Sequence, residues 1–223
     1  MQRQRTVVLI SGRGSNMMSL VEAANAADYP AEIVAVIANR PDAAGLGWAG
    51  ARGIPTAVVD HTAFSDRAAF EGSLHLAIAG FRAEIVCLAG FMRVLTPNFV
   101  RLWLGRMLNI HPSLLPSFKG LHTHEQALAA GVRIAGCTVH FVVPEMDAGP
   151  ILVQGAVPVL PEDTPDTLAA RILPVEHLIY PQALALLASG AASMAGDRVV
   201  YGAVRPPVNQ TPVVISPGPG AVG

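Results

Sequence analysis

The sequence is poor in cysteine, in charged residues and in aromatic residues. Only 2 of its 223 residues are cysteine, 14% are charged and 5% are aromatic. Cys87 and Cys137 lie in apolar surroundings and form no CxxC motif, which excludes a disulfide framework and a cysteine-based zinc site. We therefore predict two buried, reduced thiols in a cytoplasmic protein.

The sequence also lacks long apolar runs and an excess of either charge. No stretch approaches the roughly 20 apolar residues that a membrane-spanning helix needs, and the residues ahead of Thr6 have no secretory signal pattern. The formal net charge of −1 argues against a general nucleic-acid partner. We expect neither nucleic acid nor a membrane as a partner.

Strand and helix patterns alternate through the first half of the chain. Apolar, β-rich runs at 6–10, 33–38, 55–59, 85–88 and 107–111 are typical of strands buried in a parallel sheet. Helical patterns separate them, from Met17 to about Ala27, up to about Arg52, and up to about Gly80. Thr62 or Ser65 is the expected cap of the third helix, with Asp66 in its first turn.

In the second half of the chain, the regular alternation of strand and helix patterns ends. Residues 134–143 and 151–159 are β-rich and joined by a short connection, which predicts an antiparallel pair. A helix then runs to about Ser189, and Pro174 and Pro181 are expected to kink or divide it. The prediction is an α/β fold with one domain at 1–205, a mostly parallel, Rossmann-like doubly wound sheet, an antiparallel C-terminal strand pair, and a disordered tail at 206–223.

Two motifs carry candidate chemistry. S-G-R-G-S-N at 11–16 joins a strand to a helix, where free N–H groups and the helix dipole favour a phosphate. The third glycine of the dinucleotide fingerprint is missing, so a mononucleotide or sugar phosphate fits better, and a tight turn without a ligand stays open. Asn109 and His111 share one strand face and could stabilise an oxyanion and move a proton, or could only secure the loop.

Three further segments have two interpretations each. The apolar loop at 89–95 could line a ligand slot or pack under the next helix. Asp147 could act on a substrate or serve only its own turn. His122 and His124 form an H-x-H pattern that is not the helical zinc motif, and no cysteine joins it, so we expect no metal.

Five motifs taken together resemble the phosphoribosylglycinamide formyltransferase family. They run in register to about residue 205 and are S-G-R-G-S-N (11–16), L-A-G-F-M-R (88–93), N-I-H-P-S-L-L-P (109–116), G-L-H-T-H (120–124) and M-D-A-G-P (146–150). The resemblance implies the formyltransferase fold. It also implies the transfer of a formyl group from 10-formyltetrahydrofolate to the amine of glycinamide ribonucleotide, in purine biosynthesis, without a metal.

The resemblance implies a role for each matching residue. The catalytic positions are Asn109, His111 and Asp147, with His140 in support. The positions for the nucleotide's phosphate and ribose are Gly14, Ser15, Asn16 and Glu176. The folate positions are Arg67, Met92, Arg93, Val94, Leu95 and Asn109. Asp147 beside His111 would favour the imidazolium form and orient the ring.

Other functions remain open on the sequence alone. A formyltetrahydrofolate deformylase resembles the family and shares the trio, but it would carry a further domain ahead of the first strand, which starts here near Thr6. A methionyl-tRNA formyltransferase would need another C-terminal domain and a basic surface. A catalytically silent ligand-binding module on the same fold is the third alternative. We expect small-molecule substrates and allow for a homodimer.

Overall fold

A computed structural model describes residues 2–202, and the predicted tail at 206–223 lies outside them. The strands of this part are β1 (Gln4–Ile10), β2 (Ala31–Ala38), β3 (Thr56–Val58), β4 (Ile85–Leu88), β5 (Met107–His111), β6 (Ile134–Phe141), β7 (Ile151–Pro158), β8 (Ala192–Ala195) and β9 (Arg198–Tyr201). The helices are α1 (Ser15–Ala24), α2 (Ala44–Gly50), α3 (Arg67–Gly80), α4 (Pro97–Leu102), α5 (Thr123–Ala129) and α6 (Pro165–Ala188), with a 3₁₀ turn at His61–Ala63.

Seven strands form one sheet in the order β3-β2-β1-β4-β5-β6-β7. Neighbours from β3 to β5 are parallel, whereas β6 is antiparallel to both β5 and β7. The predicted mostly parallel sheet with an antiparallel pair is therefore confirmed. The strand order reverses between β1 and β4, and in open α/β sheets the crevice for ligands lies at such a reversal, beyond the carboxyl ends of the strands.

The core covers both faces of the sheet, as the continuous apolar strands predict. Val8 and Ile10 of β1 face the side that α1, α2, α5 and α6 cover. Val7 and Leu9 of the same strand face the side that α3 and α4 cover. Both cysteines are buried and unpaired, as predicted. Within the described part of the chain, no helix is both long and apolar enough to cross a membrane.

Helix α6 is continuous, so Pro174 and Pro181 do not divide it, and the alternative, a kink, stays a prediction. Thr164 and Thr167 form a capping box at its start, and Pro165 occupies the first turn. Further along, the buried Tyr180 hydroxyl lies 3.0 Å from the Leu88 carbonyl oxygen and 3.2 Å from that of Leu108. Packing against the sheet outweighs the backbone hydrogen bond that each internal proline removes.

Some local predictions also fail. The cap of α3 is Asp66, whose Oδ1 accepts from the Ala69 N–H at 2.8 Å, and not Thr62 or Ser65. The sequence patterns did not predict α4, α5 or the β8–β9 pair. Helix α4 did carry a signal, because Thr96 caps it and Pro97 begins it.

Candidate active site

Asn109 and His140 face each other on the antiparallel strands β5 and β6. The Asn109 Nδ2 donates to His140 Nε2 at 3.2 Å, and His140 Nδ1 donates to the Phe141 carbonyl oxygen at 2.9 Å. Burial lowers the pKa of His140, which favours the neutral ring. With its one proton on Nδ1, the ring accepts from Asn109 through Nε2. One N–H of the amide is thereby used, and the second is left for a ligand.

His111 is 5% exposed and is held through one ring nitrogen. Its Nε2 donates to the Phe118 carbonyl oxygen at 3.0 Å, since a carbonyl can only accept. Its Nδ1 lies 3.6 Å from Asp147 Oδ2, which is longer than a hydrogen bond. Nδ1 is therefore the nitrogen that can face a substrate or a water.

Asp147 lies in the turn between β6 and β7 with a left-handed backbone, at a φ of 50°. Its Oδ2 accepts from the Gly120 N–H at 2.8 Å, and its Oδ1 lies 3.9 Å from His140 Nε2. The structure thus places the carboxylate beside both imidazole rings. Asn109, His111, His140 and Asp147, predicted from separate segments, lie in one cluster.

The glycine loop leads directly into α1. Gly14 has a φ of 72° immediately before the helix, and Ser15 and Asn16 are its first two residues. The Asn16 Nδ2 donates to Glu176 Oε2 at 2.6 Å, which connects this loop to α6. Burial raises the pKa of Glu176, and the hydrogen bond from Asn16 partly offsets this. Within residues 2–202, the buried Asn16 Oδ1 has no hydrogen-bond partner, so it remains free to accept from a ligand.

An open cavity of roughly 410 Å³ lies at the point where the strand order reverses. Three arginines line it, which suits an anionic ligand. Its walls include predicted positions from both substrate sets and residues that the sequence patterns had not indicated. The complete set of lining residues is Ser11, Gly12, Arg13, Gly14, Ser15, Asn16, Asn39, Arg40, His61, Ala89, Gly90, Met92 and Arg93.

Four predicted folate positions, Arg67, Val94, Leu95 and Asn109, do not form this wall within the described residues. Arg67 is exposed at the start of α3, six residues after His61. Val94 is 63% exposed and Leu95 is buried. In the same described range, no three His, Cys, Asp or Glu side chains are grouped so that they could hold a metal.

Sequence reasoning missed the groups that orient the cluster. The Phe118 carbonyl and the Gly120 N–H are backbone groups, which residue types do not reveal. Asn39 and His61 were detectable in principle, because each follows a strand at the carboxyl edge of the sheet, where ligands bind.

The comparisons with known proteins agree with this fold. Residues 4–184 match the formyl transferase family, and the chain belongs to it. Phosphoribosylglycinamide formyltransferase of Escherichia coli (strain K12) is 44% identical over 188 residues, which cover 84% of this chain and 89% of that protein. Within the family, the chain therefore groups with the phosphoribosylglycinamide formyltransferases.

Other relatives are longer than this chain. The trifunctional purine biosynthetic protein adenosine-3 of Bos taurus is 51% identical over 193 residues, but the match covers 86% of this chain and 19% of that protein. The chain thus spans about a fifth of its length.

The phosphoribosylglycinamide formyltransferase structure from Coxiella burnetii has a TM-score of 0.85 at 43% identity, covering 90% of this chain and 94% of that one. A formyltetrahydrofolate deformylase from Pseudomonas syringae has a TM-score of 0.82 at 26% identity, covering 90% and 66%.

Proposed function

We propose that this chain transfers the formyl group of 10-formyltetrahydrofolate to the amine of 5'-phosphoribosylglycinamide, a step of de novo purine biosynthesis. The observation that carries the proposal is the spacing of two sites on one sheet edge. Leu88 of β4 pairs with Leu9 of β1 on one side and with Asn109 of β5 on the other. The glycine loop follows β1, whereas Asn109 and His111 lie on β5, two strand spacings or about 10 Å away, a span comparable with a ribose phosphate that carries a glycinamide.

The reaction forms one C–N bond and breaks another. The substrate amine attacks the formyl carbon, and negative charge builds on the formyl oxygen of a tetrahedral intermediate. The bond to the folate N10 then breaks, the leaving N10 gains a proton, and the attacking nitrogen loses one. The products are the N-formyl glycinamide ribonucleotide and tetrahydrofolate.

Each residue of the cluster has a task that follows from its contacts. The second N–H of Asn109 donates to the developing oxyanion, and His140 fixes the amide orientation. His111 relays the proton through Nδ1, directly or by way of a water, because its Nε2 is committed to Phe118. Asp147 stabilises positive charge on the His111 ring. Holding the amine and the formyl group in contact supplies a further share of the rate.

The donor and the acceptor use different loops of the site. The N–H groups at Gly14, Ser15 and Asn16 hold the phosphate, and Glu176 accepts from the ribose hydroxyls. The folate ring lies on the 92–95 loop, where Met92 and Val94 are 66% and 63% exposed. The exposed apolar surface of this loop is what supports folate as the formyl carrier, and the cationic Arg67 and Arg93 suit the carboxylates of its glutamate tail.

The deciding experiment follows the absorbance change as 10-formyltetrahydrofolate loses its formyl group, with and without glycinamide ribonucleotide. We expect loss only when the nucleotide is present. Equal loss without it would identify a deformylase, and no loss in either mixture would leave a binding module.

Several coarser features complete the proposal. We propose small-molecule substrates, no nucleic-acid or membrane partner, a cytoplasmic location, and a single catalytic domain at 1–205. A homodimer is one possible assembly and stays a prediction. Size-exclusion chromatography with light scattering measures it directly.

A further inference from the structure

A hydrogen-bonded chain joins the loops that follow β1, β2 and β4. The Met92 backbone N–H donates to Ser11 Oγ at 2.8 Å, and Ser11 Oγ lies 2.6 Å from Asn39 Oδ1. Next to this amide, His61 Nδ1 donates to the Asn39 backbone carbonyl oxygen at 2.8 Å, so its contact with Asn39 Nδ2 at 3.2 Å is not a hydrogen bond. All four residues line the cavity at the reversal of strand order.

The direction of this chain is fixed at Met92. A backbone N–H can only donate, so Ser11 Oγ accepts from Met92, and its own proton goes to Asn39 Oδ1. Asn39 is 2% exposed, so water cannot easily replace a lost partner. Removing the Ser11 hydroxyl would leave the Met92 N–H and the Asn39 oxygen without their partners.

The Ser11 hydroxyl therefore joins two loops that serve different substrates. Residues 12–16, which directly follow Ser11, form the nucleotide loop, and Met92 is the first residue of the folate loop at 92–95. A second bond between the same loops, from the Ser11 N–H to the Gly90 carbonyl at 3.2 Å, belongs to the backbone and survives any side-chain change. The hydroxyl bond is the one that a substitution can remove.

We propose that Ser11, held by Asn39, is a positioning residue that couples the nucleotide loop to the folate loop. The proposal rests on the function proposed above. Ordering of either loop by its ligand is transmitted through the hydroxyl to the other loop, so each substrate tightens the binding of the other. By linkage the two effects are equal, and one neutral hydrogen bond sets their size at roughly fivefold.

The test uses the full chain and three variants. Ser11→Ala removes the hydroxyl, and Ser11→Thr retains one. Ser189→Ala is the matched control, since that hydroxyl bonds the Ala185 carbonyl at the end of α6 at 2.7 Å. Calorimetry measures the dissociation constant of glycinamide ribonucleotide with and without saturating tetrahydrofolate, which has no formyl group to transfer. Steady-state kinetics supply KM and kcat for both substrates.

We expect tetrahydrofolate to tighten nucleotide binding roughly fivefold in the wild type and in Ser189→Ala, and by a factor near one in Ser11→Ala. Both KM values should rise by a similar factor in Ser11→Ala, with kcat within about twofold and partial recovery in Ser11→Thr. General destabilisation would instead lower the active fraction and leave KM unchanged.

The failures are distinguishable. A wild type that turns over both substrates but binds the nucleotide equally with and without tetrahydrofolate overturns the coupling alone, even if Ser11→Ala does not fold. Unchanged KM values in a folded Ser11→Ala would overturn the coupling as well. A wild type with no turnover overturns the proposed function and the coupling with it.

Discussion

Backbone groups hold both histidine rings and the carboxylate of the cluster. The Phe118 carbonyl accepts a hydrogen bond from His111 Nε2, the Phe141 carbonyl accepts one from His140 Nδ1, and the Gly120 N–H donates to Asp147. Such partners depend on where the chain runs and not on which residue is present. Motifs could therefore indicate Asn109, His111 and Asp147, but not the ring nitrogen of His111 that stays free.

Replacing Asp147 with asparagine tests the charge without removing the shape. The amide oxygen of Asn can still accept from the Gly120 N–H, and Asn tolerates the left-handed backbone at 147. We expect turnover to fall about a hundredfold, as it should for His111→Ala, because the positive charge on the ring loses its partner. Asp197→Asn, on an exposed turn, is the control, and circular dichroism checks the fold. Turnover like that of the wild type in Asp147→Asn would remove Asp147 from the mechanism.

Glu176→Gln should separate stability from binding. Burial raises the pKa of Glu176 and disfavours its charged form, so the neutral amide should stabilise the fold and raise Tm. The nucleotide KM should rise about tenfold, because a charged acceptor is lost. Thermal unfolding and kinetics measure both, with the exposed Glu162→Gln as control. A lower Tm would contradict this account.

The turn that carries Asp147 is packed tightly against the end of β6. A Cβ on Gly149 would lie 1.7 Å from the Phe141 carbonyl oxygen, which accepts the hydrogen bond from His140 Nδ1. Gly149→Ala should therefore cost about 1–3 kcal/mol of unfolding free energy and also lower kcat. Gly72→Ala in α3, where a Cβ meets nothing within 4 Å, should instead stabilise by about 0.5–1 kcal/mol. Urea unfolding compares them, and equal effects would contradict the clash.

Long, apolar segments were predicted correctly from the sequence, whereas short segments were not. Strand β4 and the two faces of β1 were apparent from continuous apolar runs. Helices α4 and α5 have six and seven residues, too few for a clear helical period. In α6 the prolines suggested a division that packing overrides, which no local pattern can show.

The whole molecule should be less stable in mild acid. Burial lowers the pKa of His124, His140 and His177, so below about pH 6.5 the unfolded chain binds more protons than the native one. Their contribution is complete above that pH and is lost as the pH falls. Glu176 acts oppositely, because its raised pKa makes the native state bind more protons as the pH falls.

The Glu176→Gln background therefore isolates the histidines. In this variant Tm should be lower at pH 5.5 than at pH 7.5, as measured by calorimetry in buffers of equal ionic strength. The wild type should show a smaller difference between the two pH values. A higher Tm at pH 5.5 in the variant would contradict the assignment.

The bond between Asn16 and Glu176 also has a consequence for synthesis on the ribosome. Its partners are 160 residues apart in the chain. At a translation rate of roughly 5–20 residues per second, Glu176 is synthesised about 8–32 s after Asn16. During that interval a nascent chain already has its glycine loop but lacks the carboxylate on α6. A message that stops short of α6 would yield a chain in which Asn16 has no carboxylate partner.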